Sequence, residues 1–145
     1  MRTLLICLTI VMCTIATALA QTEQEQVKEV INMSYVEGIH NFGDITQIEK
    51  GFHPGFEMIL IRDNVLSKLP IYTWIESIKT GREKNPNPPT QRTNVKFISV
   101  DVTGKAAAVK LELHRGGELI FTDYLLLYKF DKEGWRIVSK TFERH

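Results

Sequence analysis

Residues 122–142 read TDYLLLYKFDKEGWRIVSKTF, and this stretch decides the fold. Two runs of β-forming residues, Thr122–Phe130 and Trp135–Phe142, flank a polar break with the sequence DKEG. This pattern predicts a long antiparallel hairpin. Three consecutive leucines, Leu125–Leu127, make both faces of the first strand apolar, because successive side chains point to opposite faces. We therefore expect helices to cover one face and a second subunit to cover the other.

Three helices are predicted before this hairpin. Thr22–Glu25 has the pattern of a capping box, and apolar residues follow at four-residue steps from Val27 to Ile39. These features predict one amphipathic helix of about 18 residues. Asp44 can cap a second, short helix. Pro70 can open a third helix, where its missing N–H has no cost, and we expect that helix to end near Gly81.

The remaining segments are predicted to be strands. Phe56–Arg62 and Val65–Leu69 form a predicted hairpin. After a proline-rich loop, residues 93–102, 106–114 and 118–130 are predicted to lead into the final strand. The fold class is therefore α+β, with three N-terminal helices packed in the concave face of a strongly curved antiparallel sheet. Such a cone, open at one end, is a natural pocket for a small molecule.

The first 20 residues have the pattern of a secretory signal peptide. A positive start is followed by a short apolar run that ends in Ala-Leu-Ala, which predicts cleavage before Gln21. We accordingly expect a secreted or periplasmic protein whose single domain spans residues 21–145. A retained membrane anchor is the alternative. Both cysteines, Cys7 and Cys13, lie in the predicted leader, so the mature domain would have no disulfide and no cysteine metal ligand.

The charge and residue composition limit the partners of the mature domain. Its 18 Lys and Arg residues, less Arg2, balance 17 Asp and Glu residues, and no basic tract is present. We therefore expect no nucleic-acid partner, and no membrane partner after leader cleavage. No pair of histidines has a metal-binding helical spacing. We predict no metal site and no cofactor.

Four short motifs, spread over most of the mature domain, give the chain a recognisable family resemblance. They are Tyr35–Gly38 leading to Gly43-Asp44, His53-Pro54, Phe121–Leu125, and Gly134–Val138 with Lys140 and Phe142. With these motifs the chain resembles the nuclear-transport-factor-2-like (NTF2-like, SnoaL-like) superfamily, and most closely its "putative lumazine-binding" family. The resemblance implies a cone-shaped domain with a hydrophobic pocket inside, often dimeric through the outer face of the sheet. The superfamily includes ketosteroid isomerase, scytalone dehydratase and polyketide cyclases, alongside many non-enzymatic members.

Of the three catalytic positions of ketosteroid isomerases, this chain matches one and departs from two. Tyr35 lies on the inward stripe of the first helix, where the resemblance places the oxyanion-hole tyrosine of ketosteroid isomerases. The general base of those enzymes would fall near Ile59 or Leu60, and their second acid near Leu126, all of which are apolar here. Asp123 is three residues from Leu126, so it is expected to face the other way. A steroid-isomerase mechanism is therefore not expected.

Other polar and aromatic residues are candidates for the same pocket. His53 could serve as a base or ligand contact, or could simply be a partly exposed turn residue before Pro54. Trp74, Phe97 and Tyr124 could line an apolar cavity, although a domain of this size would contain such aromatic residues in its core anyway. His40 is expected near the end of the first helix, where the helix dipole favours a charged imidazole.

Asp123 and Lys140 are expected on adjacent strands, and each interrupts an apolar neighbourhood. If they face one another, an ion pair could fix the register of the hairpin. We prefer this structural role to a catalytic one.

Three functional hypotheses follow. The first is a non-catalytic exported domain that binds a small apolar or aromatic molecule in the cone, with Tyr35 and His53 as polar contacts. The second is a dehydratase-like or isomerase-like enzyme that uses the same two residues as weak catalytic candidates. The third is a homodimeric interaction module whose cone is filled by its own core. The missing isomerase carboxylates favour the first and third hypotheses.

Overall fold

A computed structural model describes residues 22–145 as three helices and one sheet of six strands. The first helix, α1, is α-helical over residues 22–30 and continues as a π-helix over Ile31–His40. Helix α2 spans Ile45–Gly51 and helix α3 spans Ile71–Lys84. The strands are β1 Phe52–Arg62, β2 Val65–Pro70, β3 Thr93–Thr103, β4 Ala106–Arg115, β5 Glu118–Phe130 and β6 Gly134–Arg144.

The sheet has the order β2-β1-β6-β5-β4-β3, and all but one of its strand pairs are antiparallel. Strand β6 lies between its hairpin partner β5 and the early strand β1, which runs parallel to it. This parallel pair was not predicted, because pairing between distant segments leaves no local sequence signal. The α+β class and the curved, cone-like sheet are confirmed.

Helix α1 packs against the inner face of the sheet because its apolar stripe faces the inward residues of β4 and β5. Every second residue is buried from Ala107 to Leu113 and from Asp123 to Leu127. The fully buried side chains of α1, β4 and β5 include Val27, Ile31, Tyr35, Leu111, Leu113, Leu125 and Leu127. The start of the helix is tied to the sheet by polar contacts. Lys129 Nζ and Trp135 Nε1 both donate to the Glu23 carboxylate, at 2.6 and 2.8 Å. The predicted hairpin and its helical cover thus form one unit.

Most element boundaries agree with the sequence pattern. Asp63 and Asn64 form the β1–β2 turn, and both have positive φ angles, of 52° and 61°. Helix α3 differs, because it continues past Gly81 to Lys84. Arg82 fixes this extra turn by donating to the carbonyl oxygens of Gly38 and Gly43, at 2.6 and 2.7 Å.

The predicted leader, residues 1–20, lies outside the described residues. Within residues 22–145, no helix has the length and apolar character needed to span a membrane.

Candidate functional site

Three polar side chains meet inside the cone. Tyr35 of α1 donates its hydroxyl proton to Asp123 Oδ2 of β5, at 2.6 Å. Lys140 Nζ of β6 lies 2.7 Å from Asp123 Oδ1, and the side chains of Lys140 and Asp123 are only 4% and 0% exposed. We call Tyr35, Asp123 and Lys140 the polar trio. All three side chains are at most 4% exposed, and they contact one another in the interior of the cone.

Burial governs the ionisation of the polar trio. It raises the pKa of Tyr35 well above the usual value, and the neighbouring negative charge of Asp123 raises it further. Burial also lowers the pKa of Lys140, against the opposing effect of its ion pair with Asp123. Because a lysine this deeply buried needs a counter-charge, we assign the pair as Lys140⁺ and Asp123⁻.

His40 joins this site because of the π-helical part of α1. The i→i+5 hydrogen bonds of a π-helix bring residues five apart towards the same side, as in the bond from Asn41 N to Val36 O. The rings of Tyr35 and His40 are 4.8 Å apart and meet edge to face. His40 Nε2 is buried and has no hydrogen-bond partner within residues 22–145.

His40 is neutral at physiological pH. Burial, together with the smaller effects of the positive charges of Lys140 and Arg115, lowers its pKa to about 3. The expectation that the helix dipole favours a charged imidazole at His40 is therefore wrong, since desolvation and two nearby cations outweigh the dipole. No local feature of the sequence signals the widened helix that buries this side chain.

The polar trio also corrects the predicted direction of Asp123. Alternation does place Asp123 and Leu126 on opposite faces, but Asp123 faces the interior and Leu126 faces outwards. The sequence pattern had led us to place Leu126, and not Asp123, on the face of β5 that lines the pocket. An acid does stand beside Tyr35, then, but it is paired with Lys140 and accepts the proton of the tyrosine. Tyr35 consequently has no hydroxyl proton free to donate to a bound substrate.

His53 lies apart from the polar trio. It is the second residue of β1, and its Nδ1 accepts a hydrogen bond from Gly55 N at 3.0 Å. Its ring stacks on that of Phe130, with centroids 4.7 Å apart and planes 7° from parallel. No hydrogen bond or ring contact within the described chain joins His53 to Tyr35. The structure does not bring the two candidate catalytic residues together.

The predicted aromatic pocket residues divide between the two faces of the sheet. Trp74 of α3 is half-buried inside the cone, where its ring stacks on Phe56 at 6.1 Å and contacts Tyr35 at 6.2 Å. Phe97 is half-buried against the core. Tyr124 instead lies on the outer face, because it follows the inward-facing Asp123 in the alternation of β5. Tyr124 therefore cannot line the interior.

The outer face of β5 presents an exposed apolar row. Tyr124, Leu126 and Tyr128 are 49%, 53% and 53% exposed. On the adjacent strand, Ala108 lies opposite Leu126 and Lys110 lies opposite Tyr124. A shallow groove of about 320 Å³ runs along this surface. We call Tyr124, Leu126 and Tyr128 the outer row.

Within residues 22–145, no group of three His, Cys, Asp or Glu side chains is arranged to hold a metal ion.

The fold and its buried polar site define a cone-shaped α+β domain of the NTF2-like class. The sequence model of the family described as "Putative lumazine-binding" matches residues 22–143. The chain therefore belongs to that family. No curated protein sequence matches the chain significantly.

Solved structures agree with this class. An NTF2-like protein of unknown function from Shewanella baltica is 22% identical, with a TM-score of 0.65 over 86% of this chain and 94% of the other. An NTF2-like superfamily protein from Salmonella enterica is 20% identical, with a TM-score of 0.60 over 86% and 92%. A "putative ketosteroid isomerase" from Shewanella frigidimarina is 12% identical, with a TM-score of 0.59 over 81% and 94%. At these identities the likeness establishes the fold alone.

Proposed function

We propose that this chain is a non-catalytic, homodimeric interaction domain that associates through the outer face of its sheet. The observation that carries this proposal is the outer row, three large apolar side chains about half exposed on one strand. Contiguous apolar surface on a soluble domain is costly to leave in water and is typical of an interaction site. A second copy of the chain is the simplest occupant, since a two-fold interface uses the same patch twice.

The neighbours of the outer row support close approach by a partner. Ala106 and Ala108 lie opposite Tyr128 and Leu126 on β4, so small side chains flank the large ones. At one end, Lys110 Nζ lies 5.5 Å from the centroid of the Tyr124 ring. On the other side, the β6 residues opposite the row are the polar Thr141, Ser139 and Arg136. Polar side chains thus border the large apolar ones, which agrees with an apolar interface core and a polar rim.

The interior supports a non-catalytic role. Acid–base catalysis needs a group that can exchange a proton with a bound substrate. Tyr35 donates its proton to Asp123, Asp123 is paired with Lys140, and all three are buried. His53, the second candidate, stacks on Phe130, away from these three residues. These side chains are arranged as a structural network, which leaves the enzyme hypothesis without a paired acid and base.

Sedimentation velocity at micromolar concentration tests the dimer. We expect the wild-type domain to sediment as a dimer and Leu126→Glu to sediment as a monomer, because the new carboxylate would be desolvated in the interface. Tyr72→Glu is the matched control, since Tyr72 is 60% exposed on the helical side. It should remain dimeric. A monomeric wild type, or equal behaviour of the two variants, would refute the proposal.

A small ligand in the cone is the second candidate function, and His40 favours it. Its Nε2 atom is buried beside Lys140 without a protein partner in the described chain, and such an atom gains from a hydrogen bond. The half-buried Phe121 and Phe142 rings lie 5.9 and 4.0 Å from Lys140 Nζ and could flank an apolar or aromatic molecule. Native mass spectrometry of the protein purified from its own source should then detect a bound small molecule. A spectrum that shows only the apoprotein would exclude a tightly bound small molecule.

Export is the remaining part of the proposal, and it rests on the sequence of residues 1–20. Intact-mass measurement of the protein from its own source should give a chain that begins at Gln21, recovered from the periplasm or medium. A full-length mass would contradict cleavage.

A further inference from the structure

A second concave surface lies on the helical side of the domain, away from the polar trio and the outer row. It is a groove of about 180 Å³ between α2, the start of β1 and α3. None of the residues that line it belongs to the polar trio or to the outer row. The groove is therefore an independent feature of the fold, and its use does not depend on the proposed dimer.

The floor of the groove is apolar and rigid. Phe52, Ile71 and Ile75 form it, and each is at most 6% exposed. Phe52 is held from below by the rings of Phe56 and Trp74, with centroids 4.9 and 5.9 Å away. A floor packed this firmly keeps its shape without a ligand. Such pre-formed apolar surfaces are typical of small-molecule sites.

The rim of the groove carries an excess of negative charge. Glu49 from α2 and Glu76 and Lys79 from α3 all line it. Glu76 and Lys79 neutralise one another in an ion pair of 2.8 Å. Glu49 makes no ion pair within 4 Å in the part of the chain that the structure describes, although its charge acts on Lys79, whose ammonium is held by Glu76. Two carboxylates and one ammonium therefore leave the rim with one net negative charge. Arg136 approaches only the backbone here, donating to the Glu49 carbonyl oxygen at 3.0 Å.

The size of the groove limits the ligand. At roughly 30 Å³ per water molecule, 180 Å³ corresponds to about six waters, the size of one ring with a short substituent. This is below the range of roughly 300–1,000 Å³ usual for drug-sized ligands. Tyr72, at 60% exposure, stands beside the floor and offers an aromatic face to a cation or a second ring.

From this combination we infer that the groove binds a small amphiphilic cation, a single apolar ring or short chain that bears a primary ammonium group. The apolar part would lie on Phe52, Ile71 and Ile75, and the ammonium would be held by Glu49. An anion of the same shape would face an unpaired carboxylate and would be disfavoured.

Titration of ¹⁵N-labelled protein with 2-phenylethylamine, followed by amide chemical shifts, tests the inference. We expect saturable shifts that centre on α2, the start of β1 and the first turns of α3, with binding in the millimolar range or tighter. 3-Phenylpropionate has the same ring with the opposite charge, and we expect it to bind at least tenfold more weakly. Glu49→Gln should weaken the amine five- to tenfold. The matched control Glu133→Gln, in the exposed β5–β6 turn, should leave its affinity unchanged.

The same experiment can overturn the inference. Equal affinity for the amine and the carboxylate would refute the charge selection. Unchanged amine binding in Glu49→Gln would refute the role of Glu49. Shifts centred on the cone interior or the outer face, or no saturation at ten millimolar amine, would refute the site itself.

Discussion

Asp123→Asn is the most informative single change in this domain. The substituted side chain is nearly isosteric and its carbonyl oxygen can still accept the proton of Tyr35, so the main loss is the negative charge. Lys140 would then be a buried cation without its counter-charge, in a site where its side chain is 4% exposed. We therefore expect a large fall in the free energy of unfolding.

The magnitude follows from the geometry. At 2.7 Å and an effective dielectric constant of about 20, the attraction between Asp123 and Lys140 is about 6 kcal/mol. Desolvation of each ion costs several kcal/mol and offsets much of this. Removing one partner leaves the other's desolvation uncompensated, so the expected loss is about 3–5 kcal/mol. For a small domain this corresponds to a fall in melting temperature of roughly 10–20 °C.

Urea denaturation followed by tryptophan fluorescence and circular dichroism gives the measurement. Asp131→Asn is the control, because Asp131 forms an ion pair with Lys105 in which both side chains are well exposed. It should leave the free energy of unfolding nearly unchanged, because solvent screens an exposed pair. The triple variant Tyr35→Phe/Asp123→Leu/Lys140→Met should recover most of the stability that Asp123→Asn loses, since apolar residues can replace a buried pair and Tyr35→Phe removes the hydroxyl that would lose its acceptor.

Two results would refute this reasoning. One is a loss below about 1 kcal/mol in Asp123→Asn, which would mean that Lys140 is solvated or neutral in the native state. The other is a triple variant as unstable as Asp123→Asn, which would mean that packing and not charge pairing dominates the site.

Three further predictions concern other parts of the interior. His40 has a native pKa of about 3 and an unfolded value near 6.5, so the unfolded state binds more protons between these pH values and stability falls as pH falls. From pH 7 to pH 5 the wild type should lose about 2 kcal/mol more than His40→Gln in parallel urea titrations, and equal slopes would contradict the buried, neutral imidazole. Tyr35→Phe should cost about 1.5–3 kcal/mol in the same assay, because it removes a hydrogen bond to a charged group, and a neutral effect would contradict that bond. Gly51→Ala should destabilise by about 1–3 kcal/mol, because a Cβ atom there would meet Ser34 Oγ at 1.8 Å, whereas Gly81→Ala, with nothing within 4 Å, should not.

The hairpin and the class of the domain were predictable because their signals are local. Alternation and turn residues place β5 and β6 within two residues of their observed ends. The family resemblance, which rests on short motifs, also implied the cone shape of the domain. The pairing of β1 with β6 was not predictable, because no local pattern records which distant strand fills the gap beside the hairpin.

The site was predictable only in part. Asp123 and Lys140 stand out as charges in apolar strands, and they do lie against each other. Their partner Tyr35 was identified, but its hydrogen bond to Asp123 was not, because the inner face of β5 was assigned the wrong way round. The prediction of Tyr124 as a pocket residue follows from the same error, since Tyr124 faces outwards. His40 joins the site through a π-helix, and a pattern with a period of 3.6 residues does not reveal that five-residue step.

We propose above all that the outer row is an interface between two copies of this chain. Isotope-filtered NOE measurements on a mixture of ¹³C-labelled and unlabelled protein report contacts between copies directly. We predict intermolecular NOEs between the methyl groups of Leu126 and the ring protons of Tyr124 or Tyr128. Their absence, or intermolecular NOEs confined to another surface, would contradict the account.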